Sequence, residues 1–280
     1  MIGLNFTKMH GAGNDFIVID NRFNSTYDIE KLVPKLCDRH FGIGADGVIL
    51  VELSDIADIK MRIINADGSE AEMCGNGMRC FARYVYERGL VSETKFKVET
   101  LVGIIIPEII NRDVLRVRVN MGRPRFDVKG YVLTSRNDFI NQTLSVGGED
   151  FILSTILMGV PHTVIFVEEL NDELVCNLGP KIERHGIFSY GTNVNFVRVV
   201  NENELSIRTW ERGAGMTLAC GTGACASLVV SNILGLVKRK ARVRLPGGEL
   251  EVEWEDSGDV YMTGEAVEVF EGCLNLKNFI

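Results

Sequence analysis

Positive charge is scarce in this 280-residue chain: 30 lysines and arginines stand against 38 aspartates and glutamates, a formal net charge of −8. That balance argues against nucleic acid or an anionic membrane as partner, because phosphate-rich surfaces are bound by clustered basic groups. Long hydrophobic runs are missing too. The run over 101–106 is stopped by Pro107 and Glu108, far short of the roughly 20 apolar residues that cross a bilayer. The opening Met1-Ile2-Gly3-Leu4-Asn5-Phe6-Thr7-Lys8 lacks the charged-then-apolar layout of a signal peptide. Closely spaced metal-ligand pairs are absent: Cys74 to Cys80 and Cys220 to Cys225 have five and four intervening residues, with no C-x-x-C, so no metal site is expected. The seven cysteines are odd in number and follow no framework spacing, which fits reduced thiols and a cytoplasmic location.

What the chain does have is a near repetition of itself. Cys74-Gly75-Asn76-Gly77 and Cys220-Gly221-Thr222-Gly223 place two cysteines 146 residues apart. At the same offset Gly13 falls on Gly159, Val18 on Val164, Ile19 on Ile165, Val48 on Val194, Val51 on Val197, Arg62 on Arg208, and Gly89-Leu90-Val91 on Gly235-Leu236-Val237. A duplication that keeps one thiol per half suggests two similar lobes with a matched pair of acid/base groups. An acid and a base on opposite faces of one carbon is the requirement of a racemisation or epimerisation.

At 46% hydrophobic and 24% charged, the length suits about two domains. Short β-branched or apolar runs at 15–20, 47–52, 59–65 and 95–99 read as strands. After Cys74 the period changes: Met78, Phe81, Ala82 and Val85 follow helical spacing, and Gly89 is placed to end the helix. In the second half Cys225, Ala226, Leu228, Val229, Val230, Ile233 and Leu234 leave almost no polar face, so that helix must be buried. The expectation is an α/β fold of the α+β type. Each of two pseudo-symmetric lobes is a curved mixed or antiparallel sheet around one dominant buried helix, with the active site in the cleft between lobes. The crossing is placed at Gly122-Arg123-Pro124-Arg125 to about Asp127, giving lobes over 1–125 and 126–265, with 266–280 as a C-terminal segment that can return to the first.

A free thiol titrates near about 8.5, and a helix N-terminus favours the thiolate and lowers that value. Glycines after each cysteine let backbone amides approach a ligand and leave first-turn donors open to an anion such as an α-carboxylate. Two adjacent thiolates repel, so such a pair holds one proton between them. One S⁻ then removes Cα–H while the opposite S–H delivers a proton, and no pyridoxal cofactor is needed if the helix dipoles stabilise the carbanion. Blander readings compete with this. Cys37, Cys80, Cys176, Cys225 and Cys273 read as small core hydrophobes, Arg62 and Arg208 as structural, and the Gly-x-Gly strings after Cys74 and Cys220 do not make a nucleotide fingerprint.

Three stretches carry a family resemblance: His10-Gly11-Ala12-Gly13-Asn14-Asp15-Phe16; Asn65-Ala66-Asp67-Gly68-Ser69-Glu70 running into Cys74-Gly75-Asn76-Gly77-Met78-Arg79-Cys80; and Trp210-Glu211-Arg212-Gly213-Ala214-Gly215 running into Ala219-Cys220-Gly221-Thr222-Gly223. Their long, ordered motifs, spread from about residue 5 to the C-terminus, closely resemble diaminopimelate epimerase. The resemblance implies a cofactor-independent isomerase that converts LL-2,6-diaminopimelate to the meso isomer in lysine and peptidoglycan precursor biosynthesis, acting as a homodimer. It implies that Cys74 and Cys220 are the acid/base thiols and that Gly75, Asn76, Gly221 and Thr222 cradle the α-carboxylate. Asn14, Asn65, Asn193 and Arg212 would hold the substrate, Arg212 through its distal carboxylate. His162, in Gly159-Val160-Pro161-His162, and Glu211 would flank the reacting centre and pair with the α-ammonium. Phe270 falls where some members have a tyrosine at the dimer contact. Two positions depart from some members: Val160 stands for Asn and Gly47 for Gln, so two substrate contacts must come from elsewhere. A proline or hydroxyproline racemase shares the two-thiol logic but has little use for Arg212 beside Asn65 and Asn193. An isomerase of the phenazine-biosynthesis type shares the fold without both cysteines, and a non-enzymatic thiol or zinc module is the remaining alternative.

Overall fold

The computed structural model describes residues 3–23, 28–111 and 115–278. In chain order the elements are β1 (Gly3–Gly11), β2 (Asn14–Asp20), α1 (Ile29–Cys37), β3 (Gly47–Glu52), β4 (Ile59–Asn65), β5 (Glu70–Ala71), α2 (Gly75–Glu87), β6 (Val98–Thr100), β7 (Gly103–Ile105), β8 (Glu108–Asn111) and β9 (Arg116–Asn120). They continue with β10 (Phe139–Val146), β11 (Glu149–Met158), β12 (Val160–Phe166), α3 (Asp172–Glu183), β13 (Asn193–Asn201), β14 (Glu204–Glu211), β15 (Gly215–Thr217), α4 (Gly221–Ile233), β16 (Lys240–Leu245), β17 (Gly248–Trp254), β18 (Val260–Glu265) and β19 (Val267–Asn275).

The chain divides into two compact units, one of Met1–Val119 with Gly264–Ile280 and one of Asn120–Thr263. The sequence-based boundaries at 125/126 and 265/266 fall a few residues later. Residues 120–125 already pair inside the second unit: Met121 N–H donates to Val260 O, and Arg125 and Leu157 exchange both backbone hydrogen bonds.

The first unit's sheet runs β19-β1-β2-β3-β4-β6-β7, with β5 on β4. It is mixed: β2 and β3 are parallel, β4 and β6 are parallel, and β1 pairs antiparallel with both β2 and β19. The second unit repeats this plan in β11-β12-β13-β14-β16-β17, with β12 parallel to β13 and β14 parallel to β16. The 146-residue offset maps β2 onto β12 and α2 onto α4 end for end.

Each long helix packs against its own sheet, α2 on β1, β2 and β3, and α4 on β11 to β14, β16 and β17. Met78, Phe81, Ala82 and Val85 are fully buried on α2, as helical spacing dictates. Each large side chain among them contributes about 1.5–3 kcal/mol of burial. α4 is buried continuously from Gly223 to Ser231, and its two hydroxyls turn back onto the helix, Ser227 to Gly223 O and Ser231 to Ser227 O. Both helices stop at a glycine in the left-handed region, Gly89 at φ 65° and Gly235 at φ 73°, a conformation that costs glycine nothing.

Beside its long buried helix each unit carries a second one. α1 packs Leu32, Val33 and Leu36 on β3 and β4, and α3 packs Val175, Leu178 and Ile182 on β13 and β14. The core assignment of the spare cysteines is corrected in part. Cys37, Cys80 and Cys225 are buried, but Cys176 and Cys273 are exposed. Burial pushes the Cys37 thiol up to about 11 and the Cys80 thiol up to about 12, which keeps both protonated. Arg62 holds β4 to its surroundings through Glu70, Glu30 and Glu52, and Arg208 meets Asp172 at the start of α3.

Candidate functional site

Each unit sets one cysteine at the N-cap of its long helix. Cys74 (φ −139°, ψ 117°) and Cys220 (φ −116°, ψ 107°) are both extended. Their carbonyls accept the first helical hydrogen bonds, from Met78 N–H at 2.8 Å and Ala224 N–H at 2.9 Å. The glycines that follow expose the first-turn amides, where the helix dipole favours negative charge.

In the first unit Cys74, Asn14 and Asn76 come together. Gly77 N–H donates to Cys74 Sγ at 3.4 Å, the Cys74 thiol lies 3.5 Å from Asn14 Oδ1, and Asn76 Nδ2 donates to the same oxygen at 3.2 Å. Two residues absent from the sequence-based set orient this pair of amides. Asp46 Oδ2 accepts from Asn14 Nδ2 at 2.8 Å, and the buried Arg79 guanidinium donates to Asn76 Oδ1 at 3.0 Å. Burial would raise the neighbouring Asp15, but hydrogen bonds from Arg39 and Lys8 outweigh it and hold that carboxyl down to about 2. Asn65 Nδ2 donates to Ser69 Oγ at 3.0 Å across the turn after β4. Gly47 lies opposite Asn65 in the β3–β4 ladder, where a Cβ would stand 2.8 Å from Ile64 O. No side chain fits there without shifting the strands. Phe270 on β19 is half exposed and stacks edge-on against Phe6, with ring centroids 6.0 Å apart. A cavity of about 710 Å³ in this unit, lined by residues such as Phe6, Tyr84, Arg88 and Cys273, contains none of the candidates.

In the second unit the candidates fall into small hydrogen-bonded groups on β12 to β15 and at the start of α4. Asn193, opposite His162 in the parallel β12–β13 ladder, donates from Nδ2 to Pro161 O at 3.3 Å and accepts from Arg212 N–H at 2.9 Å. Arg212 Nη1 donates to Tyr190 O at 2.8 Å, leaving the rest of its exposed side chain available. Glu211 accepts from Thr217 Oγ1 at 2.6 Å, and its carboxylate acts on the Cys220 thiol. Thr222 Oγ1 lies 3.6 Å from Cys220 Sγ. Val160 is exposed at the start of β12.

The thiolate expected at a helix N-terminus is corrected for Cys220. Burial first, then the Glu211 carboxylate, raise its thiol well above the ordinary value, outweighing the hydrogen bonds from Thr222 and Gly223 that favour the anion. His162 is fully buried, and desolvation, with Arg212 second, pushes its ring down to about 3, so it is neutral at physiological pH. The sequence-based set also missed Asn195, which contacts His162. Its signal lay in strand alternation: Asn193, Asn195 and Val197 share one face of β13, and a polar pair on a buried face needs partners. Among the described residues no group of three or more His, Cys, Asp or Glu is placed to hold a metal.

Residues 6–127 and 154–269 match the family model of diaminopimelate epimerase. The diaminopimelate epimerase of Caldanaerobacter subterraneus subsp. tengcongensis is 53% identical over 276 residues, covering 98% of this chain and 100% of that protein. The diaminopimelate epimerase of Heliobacterium modesticaldum is 50% identical over 281 residues, with 98% and 100% covered. The fold is shared more widely. A hydroxyproline epimerase from Agrobacterium vitis superposes with a TM-score of 0.70 at 15% identity, covering 98% of this chain and 92% of that one. A Bacillus anthracis phenazine biosynthesis protein of the PhzF family does so at 0.70 and 16%, covering 98% and 100%. With a cysteine at the N-cap position of each of two matched helices, and half-identical relatives aligned along almost its entire length, the chain belongs to the diaminopimelate epimerase family.

Proposed function

We propose that Cys74 and Cys220 are the two acid/base groups with which this isomerase interconverts LL-2,6-diaminopimelate and its meso isomer. The observation that carries this reading is the matched placement of both cysteines, each the N-cap residue of a helix whose first turn is glycine-rich. In one direction the Cys74 thiolate takes the Cα proton while the Cys220 thiol delivers its own to the opposite face. Cys74 ends protonated, Cys220 ends as thiolate, and the reverse reaction exchanges the roles. Supporting this assignment, burial and Glu211 keep Cys220 as the proton-bearing partner, while Gly77 N–H donates to Cys74 sulfur.

Backbone amides of Gly75, Asn76, Gly221 and Thr222 receive the α-carboxylate and stabilise negative charge that develops beside it. This supplies the carbanion stabilisation that a pyridoxal ring gives other amino-acid racemases, so the reading requires no cofactor. Asn14, held by Asp46, and Asn193, held by Pro161 O and Arg212 N–H, present preset amides to the substrate. Asn65 joins them once its bond to Ser69 is exchanged for substrate. Arg212 takes the distal carboxylate as a charge-assisted pair, which favours diaminopimelate over proline-type substrates that lack a second charged end. His162 and Glu211 flank the reacting carbon. A cytoplasmic homodimer using Phe270 at its contact completes the reading, supported by an odd count of seven cysteines without framework spacing and by a half-exposed aromatic on β19.

The test is direct assay of LL- and meso-diaminopimelate interconversion by purified protein with no cofactor added. Cys74→Ala and Cys220→Ala are each expected to abolish it. Turnover that requires pyridoxal phosphate, or that survives in either variant, would overturn the proposal.

A further inference from the structure

Asn195 is fully buried on β13 and makes contacts that no substrate-binding role explains. Its Nδ2 lies 3.3 Å from Thr163 O and 3.2 Å from His162 Nδ1, and its Oδ1 accepts from Thr209 Oγ1 at 3.1 Å. The carbonyl of Thr163 can only accept, so the amide nitrogen must face it, and the same NH₂ then donates to His162 Nδ1. A ring nitrogen that accepts cannot carry the proton. His162 therefore bears its hydrogen on Nε2, the one buried side-chain nitrogen of the ring with no partner among the described residues.

Asn195 also abuts the second thiol's helix. A Cβ on Gly223 would stand 2.3 Å from Asn195 Oδ1 and 3.2 Å from Cys220 Sγ, so the amide fills the space that the missing side chain leaves in the first turn of α4. We infer that Asn195 is a positioning residue that fixes His162 as the Nε2–H tautomer and registers it against the helix start that carries Cys220. The inference rests on the epimerase reading for its kinetic consequence, but not for the tautomer.

The chemical consequence is specific. A neutral imidazole whose acceptor nitrogen is already engaged offers a substrate only a donor. It therefore cannot receive a hydrogen bond from the α-ammonium, and of the flanking pair Glu211 alone can do so. Nε2–H instead suits an acceptor that gains negative charge, such as a thiolate or a substrate carboxylate. Carboxylate or amide partners that fix an imidazole tautomer matter strongly to rate, and reversing a tautomer costs up to about 10⁴-fold in turnover.

The experiment is nitrogen-resolved NMR of the intact protein with labelled histidine, whose four rings are few enough to assign. Wild-type His162 is expected as the Nε2–H tautomer. Asn195→Asp places an acceptor at Nδ1, and is expected to move the proton there and to lower kcat at least about a hundredfold with a small change in KM. A wild-type Nδ1–H ring overturns the inference without any variant being made. So does an Asn195→Asp protein that keeps Nε2–H and wild-type kcat. Nε2–H in a wild-type protein inactive on diaminopimelate supports the tautomer assignment while overturning the functional reading.

Discussion

Alanine at Gly77 and at Gly223, equivalent positions of the repeat, should have unequal consequences. Both sit in the first turn of a 13-residue helix, and replacing glycine by alanine in a helix gains up to about 1 kcal/mol. At Gly77 the new Cβ would meet Ile63 Cδ1 at 3.2 Å and Phe16 Cζ at 3.4 Å. The closer neighbour is a terminal methyl that moves by a few tenths of an ångström, so Gly77→Ala should stay within about 1 kcal/mol of wild type. At Gly223 the Cβ would stand 2.3 Å from Asn195 Oδ1. That oxygen cannot yield cheaply, because the amide is held by His162, Thr163 and Thr209, and buried hydrogen bonds lost with a partner unsatisfied cost about 1–3 kcal/mol. Set against the helix gain, Gly223→Ala should therefore lose up to about 3 kcal/mol net, or up to roughly 12 °C in Tm at about 2–4 °C per kcal/mol. It should also lower kcat by displacing Cys220 and His162 together. Urea and thermal unfolding of both variants, with kinetics, measure this. Equal stability and activity of the two alanine proteins would refute the packing argument.

Glu211→Gln removes the carboxylate that, after burial, holds the Cys220 proton on, so alkylation of Cys220 followed by mass spectrometry should reach half-maximal rate at lower pH than in wild type; an unchanged or higher midpoint contradicts this. Asp15 ionises near 2 when folded against 3.8 for a free aspartate, so its contribution, about 2 kcal/mol, is fully present above pH about 4 and vanishes as pH falls toward 2. Asp15→Asn should accordingly be less stable than wild type at pH 7 and converge with it near pH 2 in acid unfolding followed by circular dichroism, and a gap that persists at pH 2 counts against the ion-pair account. Arg212→Met should raise KM for diaminopimelate on the order of 10- to 100-fold through loss of a charge-assisted pair, and an unchanged kcat/KM would remove Arg212 from the site.

Where one force dominated, the sequence was readable. β3 and β4 fall at 47–52 and 59–65 as their short apolar runs and bounding polar residues dictate, and α2 begins after Cys74 and ends before Gly89. The repeat carried further than any single pattern, since the 146-residue offset places β12 and α4 from β2 and α2. α1 and α3 escaped because each holds an internal proline, Pro34 and Pro180, which reads as a helix breaker unless tertiary packing compensates. Cys176 and Cys273 show that burial of a small sulfur side chain depends on which face an element turns inward, information that lies in its packing partners. The raised Cys220 thiol escaped for a related reason. A helix N-terminus is visible in sequence, but the desolvation and the Glu211 contact that outweigh it are not. Asn195 stayed hidden because a strand asparagine declares its role only when both ends of its amide have partners.

The central claim is that two thiols, each fixed to its own face, exchange one proton through the substrate, and the most direct measurement is the order of labelling in deuterated water. The thiol that protonates product has exchanged with solvent, while the thiol that deprotonates substrate can return the same proton. Newly formed isomer should therefore carry deuterium at Cα well before the remaining substrate does, whether the reaction starts from the LL or the meso compound. Equal early labelling of substrate and product in either direction would mean that a single base serves both faces, and would contradict the account.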